Sequence, residues 1–230
     1  MSINKTVTMK NIHPDTFKFL ADLKRNNNRE WFNSNKERYT EIRERFIEFL
    51  LDIYPGLIAI DPSIAGIDIR KALFRINRDV RFSDDKSPYK TTMAAVLIKG
   101  GKRNFSERAG YYIHIEQGDS LIAGGAYLPP SAWISSIRRE ISSDSEAFRD
   151  IIEKSSFKRL FGGLSGDRLK SAPKGYAKDH PDIDLLRYKS YLAVNQVSDK
   201  DVLSRGFAEQ LITVAREIKP LNDFVNSPAV

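Results

Sequence analysis

Residues 111–127 leave the chain few choices. Tyr111-Tyr112-Ile113-His114-Ile115-Glu116 alternates with period two. Tyr111, Ile113 and Ile115 fall on one face of a strand, and Tyr112, His114 and Glu116 fall on the other. Gln117-Gly118-Asp119 then turns the chain, and residues 120–127 read as a partner strand. A parallel partner needs a crossover of about a dozen residues or more, so this connection permits only an antiparallel hairpin. Gly124-Gly125 inside the second strand predicts a bulge or a close backbone approach.

Helical spacing governs both sides of this hairpin. Pro14 and Asp15 suit the start of a helix whose apolar face holds Phe17, Leu20, Ala21 and Leu23. Asn26-Asn27-Asn28 should stop it. A second helix carries Trp31, Asn35, Tyr39, Ile42, Phe46, Phe49 and Ile53 at steps of three or four, with Pro55-Gly56 as its expected end. Residues 72–76 and 92–98 suit short strands, separated by the loop chemistry of Asp84-Asp85-Lys86-Ser87-Pro88.

After Pro129-Pro130 the helical period returns. Ser131 is the expected cap of a helix bearing Ile134, Ile137 and Ile141, and Asp144 that of the next. Residues 182–188 suit a short helix and residues 190–197 a late strand. A closing helix, capped by Ser198 or Asp199, carries Val202, Phe207, Leu211, Val214 and Ile218 inward. There is no repeat and no evident linker. The reading is a single α+β domain over residues 1–230: an antiparallel sheet flanked by N-terminal and C-terminal helices, with residues 1–11 a loosely ordered lead-in.

Composition removes several classes of function. The 230 residues contain no cysteine, which excludes disulfides, thiolate nucleophiles and cysteine-held zinc or iron–sulfur centres. The N-terminal stretch has no apolar core of a secretory signal. The most apolar stretch, residues 46–60, is broken by Glu48, Asp52, Pro55 and Gly56, so no membrane span is expected. A cytoplasmic protein is the expectation.

The net charge of +7 belongs to one segment. Residues 70–108 hold 11 basic and 4 acidic side chains, while the remainder is balanced. A basic face of this kind attracts phosphates, carboxylates, nucleic acid or acidic proteins, or simply aids solubility. If residues 73–82 stay extended, Arg75, Asn77, Asp79 and Arg81 share one face, and Arg78 lies among Ile76, Val80 and Phe82 on the other. Lys86, Tyr89 and Lys90 follow in the loop. Guanidinium, phenol and ammonium groups together suit a phosphate or carboxylate. The alternative is that Arg78 and Arg81 pair with Asp79, Asp84 or Asp85 and pin a loop.

Several motifs recur in a definite order: Phe17-Lys18-Phe19-Leu20, Asn26-Asn27-Asn28-Arg29-Glu30-Trp31-Phe32, the run from Arg78 to Lys90, Tyr112-Ile113-His114-Ile115-Glu116, Gly124-Gly125 before Pro129, and Pro173-Lys174-Gly175-Tyr176. In order and spacing they resemble a bacterial family of uncharacterised proteins, domain-of-unknown-function family 2461, over most of the chain. The resemblance implies no established activity and supplies no catalytic residues.

Histidine is scarce. His13 and His180 each precede a proline and belong to turns or helix starts; a three-histidine metal site would have to gather distant segments, and no metal or cofactor is expected. His114 and Glu116 suit an acid–base pair or two metal ligands. The blander reading, favoured here, is a polar strand face closing on nearby helices. Trp31 and Trp133 read as core residues, and Lys174-Gly175-Tyr176 as a loop able to cover a ligand. No phosphate loop, nucleophile elbow or zinc-protease motif occurs.

The function expected is the binding of a small phosphate- or carboxylate-bearing ligand by Arg75, Arg78, Arg81, Lys86 and Lys90, with Tyr89 lining the pocket. Tyr112 and His114 are the candidate proton donors or acceptors, should the protein be an enzyme. The alternatives are a module that binds nucleic acid or an acidic protein through the same face, and a structural ion-pair network. Basic residues interleaved with Phe82, Tyr89 and Phe105 would suit single-stranded nucleic acid. No feature sets the oligomeric state.

Overall fold

A computed structural model describes residues 11–227. The lead-in assigned to residues 1–11 lies outside them except for Asn11, whose side chain donates to the Leu203 carbonyl at 3.0 Å. The chain begins with helices α1 (Pro14–Arg25), α2 (Arg29–Ser34), α3 (Lys36–Ile60) and α4 (Ile69–Ala72). The strands β1 (Met93–Leu97), β2 (Gly110–Ile115) and β3 (Ser120–Ala126) follow, then helices α5 (Ser131–Ser143), α6 (Ser145–Glu153), α7 (Ser155–Phe161) and α8 (Ile183–Leu186). Strand β4 (Tyr191–Val197) and helices α9 (Asp199–Val202) and α10 (Phe207–Asn226) complete the chain. The sheet is antiparallel throughout in the order β1-β2-β3-β4, so the chain is an α+β domain with helices before and after its sheet.

Register decides what each face carries. Tyr111 pairs with Leu97 and Gly124, and Ile113 with Ala95 and Ile122. These residues share the face on which α10 packs. A Cβ on Gly124 would stand 2.2 Å from Cγ2 of Ile218 in α10, so only glycine allows helix and sheet to approach this closely. Gly125 has φ +112°, and a Cβ there would stand 2.0 Å from the Tyr191 carbonyl oxygen of β4. The glycine pair marks a close approach on both counts. Beneath the sheet, Phe49 of α3 stacks on Phe207 of α10 at 5.4 Å between ring centroids.

The structure corrects several local expectations. Pro55-Gly56 does not end the second helix. The aromatic stripe divides between α2 and α3, and α3 runs on to Ile60. The carbonyl that Pro55 cannot bond is that of Leu51, on an exposed turn where water can replace the missing donor. Residues 72–76 form no strand. The segment divides its hydrogen bonds, with Phe74 N–H donating to Ala94 at 2.9 Å and Ile76 accepting from Lys90 N–H at 2.7 Å, so no continuous ladder forms. Ser131 is the first helical residue of α5 rather than its cap. Ser198 caps the short α9, and the closing helix starts afresh at Phe207. Asp144 does cap α6, accepting from Ala147 N–H at 3.1 Å. Trp133 is buried and donates from Nε1 to the Val225 carbonyl at 2.8 Å, while Trp31 is half-buried against Phe19. No helix among the described residues is long and apolar enough to cross a membrane.

Candidate functional site

The other face of the sheet is not closed by helices. Alternation places Ala94 and Val96 of β1, Tyr112 and His114 of β2, Leu121, Ala123 and Gly125 of β3, and Leu192 and Val194 of β4 on this side. Together they floor a cavity of about 520 Å³, within the range of small-molecule sites. Its walls come from loops: Phe74, Arg75 and Lys90 on one side, Phe105 and Arg108 on another, and Tyr127 after β3. The rings form a continuous series. Phe74 meets Tyr112 edge-on at 5.9 Å and Phe105 at 5.8 Å, and Phe105 stacks on Tyr127 at 6.1 Å. The strand face carrying His114 and Glu116 therefore opens onto a cavity, correcting the expectation that helices close it.

Across that floor runs a hydrogen-bonded chain. The Tyr112 hydroxyl lies 3.0 Å from His114 Nδ1, and His114 Nε2 lies 3.1 Å from Glu116 Oε2. A carboxylate only accepts, so Nε2 carries the proton it donates to Glu116. Nδ1 of the neutral ring is then an acceptor for the Tyr112 hydroxyl. Burial pushes the Tyr112 phenol above its ordinary range, helped by Tyr127 and Glu116. The phenol keeps its proton at neutral pH, with an oxygen lone pair left for a ligand. The order of carboxylate, imidazole and hydroxyl is the one that steers a proton to or from a bound group.

Lys90 is set by packing contacts beside the cavity rather than within it. Asn27, from the triple asparagine, accepts from Tyr89 N–H at 3.1 Å through Oδ1 and donates from Nδ2 to the Tyr89 carbonyl at 2.9 Å. Phe32 of α2 stacks on the buried Tyr89 ring at 4.0 Å. The N-terminal motif thus clamps Tyr89, and the next residue, Lys90, is carried to the cavity edge. Lys90 Nζ sits 5.4 Å from the Phe74 ring centroid, as does Lys102 Nζ. The Lys102 ammonium donates to the Leu73 carbonyl. Among the described residues Lys90 and Arg75 have no ion pair. Burial lowers the pKa of Lys90, and the charges of Arg75 and Lys102 lower it further.

The structure therefore brings together Arg75, Lys90, Tyr112 and His114 of the residues singled out from sequence. Arg78 and Tyr89 instead line an adjoining cavity of about 380 Å³ that shares Lys90, Thr92 and Glu116 with the larger one. Arg81 and Lys86 line neither. Arg78 does not lie among apolar side chains, because the extended run ends before Phe82, which is 95% exposed. It pairs with Asp85 and reaches the Ser87 carbonyl at 3.3 Å. Arg81 holds Asp79 with two hydrogen bonds of 2.9 and 2.7 Å, and Lys86 donates to the Val80 carbonyl at 3.1 Å. Hydrogen bonds from Ser87, joined by Arg78, hold the Asp85 carboxyl well below the usual carboxylate range.

Sequence pattern alone does not single out Phe74, Lys102 and Tyr127 as site residues. They lie in three separate segments, and only the half-exposed Tyr127 beside the glycine pair carries a local signal. Tyr176 packs against the core and His180 rather than covering the cavity. Among the described residues no group of three or more potential ligands is placed to hold a metal ion.

The model of the family described as conserved hypothetical protein (DUF2461) matches residues 15–224. The chain belongs to this family. The matched span of DUF2461 includes every wall of the cavity and the Asn27–Phe32 clamp that positions Lys90. No curated protein and no solved structure gives a match.

Proposed function

We propose that this protein binds a small phosphate- or carboxylate-bearing ligand in the cavity above the sheet, in the cytoplasm. One observation carries the reading: Arg75 and Lys90, both without an ion pair among the described residues, stand at the edge of a cavity floored by the Tyr112–His114–Glu116 chain. Lys90 is partly buried and Arg75 exposed; a partly buried cation without a counter-ion is costly, and an anionic ligand held between the two supplies that counter-ion for Lys90. The aliphatic floor and aromatic walls take the apolar part of the ligand. Tyr112 and His114 serve proton transfer if the ligand is a substrate. For Arg78 and Arg81 the internal ion pairs favour the structural role. The same pairing makes these two guanidinium groups less available to a nucleic-acid backbone.

Thermal unfolding in phosphate-free buffer tests this, with phosphates, nucleotides, carboxylates and short oligonucleotides at two salt concentrations. A small anion at about 100 times its dissociation constant should add roughly 2.7 kcal/mol of stability. The shift should vanish in the Arg75→Ala, Lys90→Ala double variant and persist in Arg81→Ala. Stabilisation by oligonucleotides alone, lost at high salt, would overturn the reading in favour of a polyanion-binding surface. So would the absence of any shift.

A further inference from the structure

We propose that the Lys90 amine is a nucleophile, and that the cavity takes a 2-oxo acid whose carbonyl carbon forms an imine with it. This rests on the anion-binding reading, since Arg75 must hold the carboxylate. The arrangement around Phe74 is the first ground. Two ammonium groups, Lys90 and Lys102, lie 5.4 Å from the centre of one ring, and the Arg75 guanidinium is the next residue along the chain from that ring. Lys102 is satisfied by the Leu73 carbonyl, whereas the Lys90 side chain makes no hydrogen bond among the described residues. A ring face favours a cation, but burial and the like charges of Arg75 and Lys102 oppose it at Lys90 and lower the pKa of its ammonium, so the free amine is easier to reach than on an exposed lysine. An amine made nucleophilic by an apolar wall and neighbouring cations is a recognised route to covalent catalysis on carbonyl compounds.

The second ground is the company that amine keeps. Imine formation needs a proton given to the carbonyl oxygen and a route by which that oxygen leaves as water. Tyr112 lines the same cavity with its ring edge-on to Phe74, the ring over which Lys90 sits, and its phenol retains its proton. In the first step the Lys90 nitrogen pair attacks the carbonyl carbon. A C–N bond forms, and the carbonyl π pair moves to oxygen, which takes the Tyr112 proton. The Tyr112 phenolate then recovers a proton from the new C–N nitrogen and can pass it on to the oxygen, while His114, whose Nδ1 lies 3.0 Å from the phenol and whose other nitrogen is held by Glu116, keeps the hydroxyl in place. The carbinolamine then loses its C–O bond. The oxygen departs as water with two hydrogens in all, the amine having given up two, so the step needs no oxidant or reductant. Glu116 and Asp119, the acidic residues lining the cavity, stand on the strand floor and its turn, and neither pairs with Lys90.

The test is reductive trapping on the full-length protein. Pyruvate and phenylpyruvate are incubated with it in the presence of sodium cyanoborohydride, and adducts are located by intact mass and peptide mapping. The expected result is one dominant adduct, on Lys90, lost in Lys90→Arg. That variant keeps the charge but has no amine to form an imine, whereas Arg81→Ala, which lies outside the cavity, should keep both the adduct and the thermal stabilisation by the same acids. Stabilisation of the wild type by either acid without a Lys90 adduct would overturn this proposal and leave anion binding standing. Adducts spread evenly over surface lysines and unchanged in Lys90→Arg would also overturn it. Neither stabilisation nor adduct would overturn both readings.

Discussion

Along β2, Tyr111, Ile113 and Ile115 are buried on the face that meets α10. Tyr112 and His114, each one residue away, are half-buried on the face that meets the cavity. The same strands therefore build two surfaces of opposite chemistry. Under α10 the sheet presents large apolar side chains, and at Gly124 it removes a side chain so that Ile218 can come close. Above it, Ala94, Val96, Ala123 and Gly125 make up part of the floor, and these small residues leave unfilled the space that the surrounding rings enclose. One face is filled to stabilise the fold. The other is left unfilled, and its polar groups bond one another in a line rather than being dispersed.

This contrast is broken most severely on the filled face. Ile113 is fully buried between Ala95 and Ile122. Ile113→Ala should cost about 2–5 kcal/mol through lost transfer energy and the hole left behind. Urea unfolding measures it. A loss below about 1 kcal/mol would mean that the α10 side is loosely packed and the two faces are less different than the register implies.

Tyr112→Phe asks the same question one residue away and has a smaller expected cost. The ring keeps its place against Phe74 and Phe105, and only the hydroxyl partner of His114 is lost. Stability should fall by about 0.5–1.5 kcal/mol, the net worth of one hydrogen bond. If the substitution costs as much as Ile113→Ala, the Tyr112–His114–Glu116 line is a structural network, and its claim to proton transfer weakens.

Much of this division was legible in sequence, because a strand's alternation is local. The hairpin, its two faces and the cap at Asp144 all follow from residues within a few positions of one another. Elements decided by distant partners were not legible. Pro55 terminates a helix only where its orphaned carbonyl is buried, and here Leu51 faces outward. Residues 72–76 have strand composition, yet their backbone groups are claimed by two different neighbours. The candidate site shows the same split. His114 and Glu116 are identifiable as a pair by spacing alone. That they face a cavity depends on Phe74, Phe105 and Tyr127, which arrive from three loops. The basic run reads as uniform because composition cannot distinguish Arg78, held by Asp85, from Arg75, which has no ion pair among the described residues and acts on Asp79 only through its charge.

The smallest expected effect lies in the loop beside the sheet and tests whether it is independent of both faces. The Asp85 carboxylate accepts from Ser87 N–H at 2.9 Å and pairs with Arg78, and these bonds depress its pKa in the folded loop. A depressed carboxylate stabilises the conformation at every pH above its ordinary value near 3.8, and that contribution disappears as pH falls toward the folded value. The Ser87 amide should therefore stay protected from hydrogen exchange, relative to its intrinsic rate, from neutral pH down to about 4 and lose protection only below that range. Amides of β2 and β3 should keep theirs through the same window, since the loop's ion pair is exposed and the strands do not depend on it. Loss of Ser87 protection well above pH 4 would show that Asp85 does not hold the loop. Simultaneous loss in β2 would show that the loop and the cavity floor open as one unit, so that the pairing of Arg78 governs access to Lys90.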